Sequence, residues 1–123
     1  MSAEASTRRT SARLVALIWS LGVVAVLWMP PPETSTTEVP GLDLVLHFTF
    51  FFGLGVLWRR AGLGPITVIV GAGVLAIVTE LTQGFLPWPR TPSGLDAAAD
   101  LLGAVAGVAT WHRFARARAR PEA

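Results

Sequence analysis

The chain has no cysteine and no tyrosine, and because lysine is missing too, all ten basic side chains are arginine. Without cysteine there is no disulfide framework, no thiolate metal site and no cysteine nucleophile. Charge is also scarce: Asp, Glu, Lys and Arg make up 15% of the residues, against roughly 25% in an average soluble domain. In their place the sequence is apolar, with 52% of its 123 residues hydrophobic and a positive mean hydropathy. A soluble domain of this size needs more polar surface, so a single membrane-embedded domain is expected. Ten arginines against eight acids could suit nucleic acid. They cluster between apolar runs instead, a pattern that sets membrane orientation, and no nucleic-acid partner is expected.

Four apolar runs follow one another. The first, "LVALIWSLGVVAVLWM", covers 14–29 and is preceded by Arg8, Arg9 and Arg13. It is short beside the roughly 20 residues that cross a hydrocarbon core, but Arg13 can snorkel and Trp28 can lie in the interface. A signal peptide would share this basic-then-apolar order, but "WMPPPET" offers no small-x-small cleavage site. "STRRTSARL" similarly lacks the apolar residues that follow a twin-arginine pair. An uncleaved helix is expected. The second helix is expected at about 42–58, closed by Arg59 and Arg60. The third is expected at about 65–84, with Pro65 in a favourable first position, and the fourth at about 95–112. The linkers are rich in Pro, Gly, Ser and Thr, as turns are.

The expected fold is therefore an all-α membrane protein, a compact bundle of four transmembrane helices over 14–112. A basic tail (1–13) precedes it and an Arg-rich tail (113–123) follows. Nine of the ten arginines fall in the two tails or the second linker. The positive-inside rule puts both termini in the cytoplasm, and the tail arginines against anionic lipid. The first and third linkers then face outwards. Gly103 and Gly107 form a small-xxx-small pair, expected to let helices pack closely within the bundle. The aromatic stretch "HFTFFFGLG" is expected to be interhelical and lipid-facing bulk.

In this topology the polar residues gather at the outer end. Asp43 and His47 open the second helix, Glu80 and Gln83 close the third, and Asp96 and Asp100 open the fourth, with Arg90 in the loop between. Asp43/His47 and Asp96/Asp100 are i, i+4 pairs on shared faces. Ionisable residues within membrane helices turn inwards, find partners and often mark function. Each also has a plainer role. Asp43 and Asp96 can answer the helix dipole, and Ser93 with Asp96 resembles a capping box. Glu80 lies at the wrong end of its helix dipole and needs a proton or a cation, which Arg90 or His47 can supply. The whole cluster could be an ion-pair knot joining three helices. An Arg90–carboxylate contact is expected in any case.

These residues resemble the VanZ-like family of bacterial membrane proteins. "DLVLHFTFFFGLG", "TELTQGF", an outer Arg and "SGLDAAADLLGAVAG" follow the family's order. That order is an Asp and a His-Phe, a Glu-x-x-Gln, a loop Arg, and an Asp-x-x-x-Asn-x-x-Gly. The match runs over Asp43, His47, Phe48, Glu80, Gln83, Arg90, Asp96 and Gly103, and covers roughly half of the chain. Asp100 stands where the family usually has Asn; a carboxylate only accepts hydrogen bonds unless protonated. The resemblance implies a multi-pass protein of the bacterial cell membrane. The family's name-giving member is associated with resistance to teicoplanin, a glycopeptide antibiotic.

The expected function is binding of a membrane-surface or cell-envelope ligand (a lipid headgroup, a lipid-linked cell-wall precursor or a glycopeptide) by Asp43, His47, Glu80, Gln83, Arg90, Asp96 and Asp100. Two alternatives stay open. A membrane enzyme could use His47 with Asp43 or Glu80 as general acid–base, although no nucleophile stands out. A small proton-coupled transporter would need a homo-oligomer. One histidine among several carboxylates can hold a divalent ion, but the spacing matches no ligand pattern, so no metal and no cofactor is expected.

Overall fold

The computed structural model describes residues 3–30, 41–88 and 91–119, and all of its regular structure is helical. The elements are α1 (Ala3–Leu27), α2 (Leu42–Arg60), α3 (Pro65–Gln83) and α4 (Gly94–Arg118). α2 and α3 keep close to their apolar runs. α1 and α4 are longer than theirs, because helix formation does not stop where hydropathy falls. The N-terminal extension gains an Arg8–Glu4 ion pair of 2.7 Å, an i, i+4 spacing that supports a helix. At the far end of α4 the Arg118 guanidinium lies 5.1 Å above the Phe114 ring, within cation–π range.

The turn between α2 and α3 shows how sequence sets the path. Gly62 has φ +95°, a conformation that glycine adopts without strain. Its N–H donates to the Arg59 oxygen (3.1 Å), and the Leu63 N–H donates to the Trp58 oxygen (3.2 Å). That pair of bonds is the Schellman ending. Pro65 then opens α3 at a position where its missing N–H costs nothing.

The most extensive contact is between α2 and α4, and glycines make it. A Cβ at Gly103 would overlap the Phe48 carbonyl, and one at Gly107 the Phe52 carbonyl. A Cβ at Gly55 would lie 2.5 Å from the Ala104 oxygen. The expected small-residue pair thus brings two backbones together. Phe51 is fully buried beside this seam, Phe50 is partly buried, and Phe48 is exposed. α1 is attached differently, through side chains. Trp19 Nε1 donates to the Phe50 oxygen and Trp58 Nε1 to Ser20 Oγ, both at 3.0 Å.

The distribution of residues is inverted relative to a soluble bundle. The buried face of α4 is Asp100, Gly103, Ala104, Gly107 and Val108. Leu95, Leu101, Leu102 and Val105 face outwards. α3 likewise buries Ala72, Ala76, Thr79, Glu80 and Gln83 while exposing Ile66, Val70, Val74 and Ile77. Three helices, α1, α2 and α3, are long and apolar enough to cross a membrane. α4 has the length but is less apolar, because its inner face is built from alanine, glycine and aspartate.

Candidate functional site: a buried histidine among carboxylates

α2 contributes Asp43 and His47 from its first turns, α3 contributes Glu80 and Gln83 from its last, and α4 contributes Asp96 and Asp100 from its first. Up-and-down connectivity places these three segments at one end of the bundle. The residues form a graded series from surface to interior. Asp43 is exposed and Asp96 half-buried, whereas His47, Glu80, Gln83 and Asp100 are buried.

His47 is at the centre. Its Nδ1 lies 2.9 Å from Asp100 Oδ1, within hydrogen-bond distance, with the imidazole donating to the carboxylate when Asp100 is ionised. Its Nε2 lies 4.0 Å from Asp96 Oδ2, on the more exposed side. The glycine seam underlies this geometry. His47 precedes Phe48, whose carbonyl Gly103 accommodates, and Asp100 lies one turn before Gly103.

Glu80 has a partner that was not expected. Its Oε2 accepts the Ser93 backbone N–H at 2.7 Å. Ser93 is the N-cap of α4, and its Oγ accepts the Asp96 N–H at 3.2 Å. In a capping box the residue three places after the cap returns a bond to the cap's own N–H. Here Glu80 of α3 makes that return bond, and Asp96 is turned towards His47. The capping role expected of Ser93 is therefore present, but half of it is supplied from another helix.

Gln83, one turn further along α3, donates from Nε2 to the Leu27 oxygen at 2.9 Å. It joins α3 to the end of α1, so its amide holds helices together beside the cluster. Arg90, with the carboxylate contact expected for it, lies outside the described residues. Ser93 was not among the expected site residues, and only its N-cap spacing could have drawn attention to it.

Two sets of three residues come close enough to act together. Asp43, His47 and Asp96 each bring a nitrogen or carboxylate oxygen within 4.8 Å of the others, and so do His47, Glu80 and Asp100. Asp43, Asp96, Asp100 and Glu80 thus share one imidazole, and among the described residues no arginine forms an ion pair with any of them. Chemically this is an acid-rich cluster suited to a positive charge, with an imidazole held beside a carboxylate at its core. Compared with protein-family models, with curated proteins and with solved structures, the chain matches none.

Proposed function

We propose that the chain is a multi-pass protein of the bacterial cell membrane, VanZ-like in its motifs. In this reading its acid-rich cluster faces outwards and binds a polar group of a membrane-surface or cell-envelope ligand. The membrane reading is supported by three helices of spanning length and hydropathy and by the large apolar side chains that face outwards. α4 is taken as a fourth span, because its acidic and small residues turn inwards while its leucines face out. Arginines near both ends of the chain and at the α2–α3 turn favour cytoplasmic termini.

The observation that carries the functional reading is the convergence of His47, Glu80 and Asp100, all buried, from three helices. Isolated ionisable groups are costly within a membrane and are retained where they pair or act. The excess of carboxylate favours a ligand with positive charge, such as the amine of a lipid headgroup or of a glycopeptide. The test uses Glu80→Gln and His47→Gln in full-length protein reconstituted in lipid nanodiscs. Membrane level and thermal stability report folding, and titration with a lipid-linked cell-wall precursor, a glycopeptide or an amine-headgroup lipid reports binding. The expected outcome is folded protein with binding weakened at least tenfold. Folded variants that bind like the parent would remove the cluster from ligand binding.

The His47–Asp100 contact favours one second reading, an enzyme on a lipid-linked substrate. A histidine held by a carboxylate is the usual arrangement of a general base. Turnover of a labelled precursor, lost in His47→Gln, would establish it; binding without turnover would exclude it for that substrate.

A further inference from the structure

We propose that His47, Glu80 and Asp100 form a binding site for a first-row divalent metal ion of the Zn²⁺ or Mn²⁺ type, with Asp96 and Asp43 at its mouth. This rests on the reading of the cluster as a ligand site and names the positive charge it takes. One geometric and one independent observation carry it.

The geometry is a nearly closed coordination set. The three residues bring ligand-type atoms within 4.8 Å of one another. Two ligands about 2.0–2.2 Å from the same zinc ion can be no more than about 4.4 Å apart, so small side-chain movements close the set. His47 Nδ1 and Asp100 Oδ1 are 2.9 Å apart with a proton between them. Replacing that proton by a metal opens the pair to about 3.3 Å, the spacing of neighbouring tetrahedral ligands. The spacing rules that spoke against a metal in the linear sequence do not apply to ligands from three different helices.

The independent observation is a pair of carboxylate oxygens without partners. Glu80 Oε1 and Asp100 Oδ2 are buried and make no hydrogen bond among the described residues. The residues themselves are 4% and 0% exposed. Glu80 is anchored through its other oxygen, Oε2, by the Ser93 N–H, while Asp100 presents Oδ1 to His47 Nδ1. An anchored carboxylate with one free oxygen is the form in which such groups are oriented towards a metal. Buried polar atoms otherwise find partners in almost every case.

Charge and donor type narrow the ion. When ionised, the two buried carboxylates outweigh a protonated imidazole, and a divalent ion supplies more positive charge than one proton. Imidazole suits zinc and its neighbours, carboxylates suit manganese and magnesium, and the mixed set suits Zn²⁺ or Mn²⁺ over Mg²⁺. Access is graded: Asp43 is exposed, Asp96 is half-buried, and Asp96 Oδ2 is 4.0 Å from His47 Nε2.

The experiment loads purified full-length protein, stripped with a chelator in detergent, with Zn²⁺ or Mn²⁺ and with Mg²⁺ as control. Metal per chain is measured by elemental analysis, affinity by calorimetry, and helicity by circular dichroism. The expected result is one Zn²⁺ or Mn²⁺ per chain, a higher melting temperature with metal, and at least about tenfold weaker binding in Glu80→Gln and Asp100→Asn. Asp43→Asn should change affinity less than either. Wild-type protein that keeps its helicity but holds well under one ion per chain overturns the proposal, and that result does not depend on any variant folding. Retained affinity in Glu80→Gln with loss in Asp43→Asn overturns the assignment of ligands. Absence of metal, with ligand binding still lost in folded Glu80→Gln, sinks the metal and leaves the proposed function standing. Metal bound by wild-type protein, with ligand binding unchanged in that variant, does the reverse.

Discussion

The two ends of this bundle treat charge in opposite ways. At one end Arg8, Arg9 and Arg60 line an open cleft with Thr7 and Ser11, between the start of α1 and the end of α2. Arg8 and Glu4 pair there with side chains 80% and 75% exposed. At the other end His47 and Asp100 pair with side chains 2% and 0% exposed. The distances are almost equal, 2.7 and 2.9 Å, but the environments are not. An exposed pair exchanges one hydrated state for another and contributes little. A buried pair cannot lose a partner without leaving the other uncompensated. The arginine end is therefore informative about orientation and tolerant of change. The carboxylate end is informative about chemistry.

Four substitutions sharpen that contrast, led by the largest expected effect. His47→Ala leaves Asp100 buried without its partner and should cost about 3–5 kcal/mol, read as a lowered melting temperature in detergent. A loss no larger than a surface mutation's would mean that the pair does not bear on the fold. Gly107→Ala attacks the seam that aligns α2 with α4, where the added Cβ meets the Phe52 carbonyl. About 1–3 kcal/mol is expected for such overpacking. The same change at Gly71, which has nothing within 4 Å, should be neutral or slightly favourable. Glu4→Ala removes the exposed pair and should shift stability by less than about 0.5 kcal/mol. If Glu4→Ala rivalled His47→Ala, the distinction between the two ends would fail.

Much of this architecture can be read from the chain. Apolar runs separated by arginine, proline and glycine mark four helices, and i, i+4 spacing puts Asp43 and His47 on one face. Helix length is less legible. Hydropathy reports which residues can meet lipid, whereas the helix from Ala3 is continued by local bonds such as Glu4–Arg8. α4 illustrates the converse, since its inward aspartates and small residues lower its hydropathy without shortening it. Within the cluster, the sequence places Asp43, His47, Glu80, Asp96 and Asp100 at one end of the helices but does not give their pairing. Asp43 shares a helix with His47, yet the hydrogen bond goes to Asp100 on another helix. Nothing in the spacing of Glu80 and Ser93 announces their bond, which depends on how the α3–α4 connection folds back.

The bond from Ser93 to Glu80 also bears on the order of assembly. His47 and Glu80 are made before the ribosome reaches α4, but Asp100 belongs to α4 and the Ser93 amide to its N-cap. A chain halted after α3 carries the imidazole with Asp43 and Glu80 but without the groups that complete them. It also leaves the Gly55 notch of the α2 seam unfilled. The site is therefore completed only when α4 packs against α2 and α3. Its polar residues are matched when α4 docks, and the capped first turn of that helix closes the structure over them.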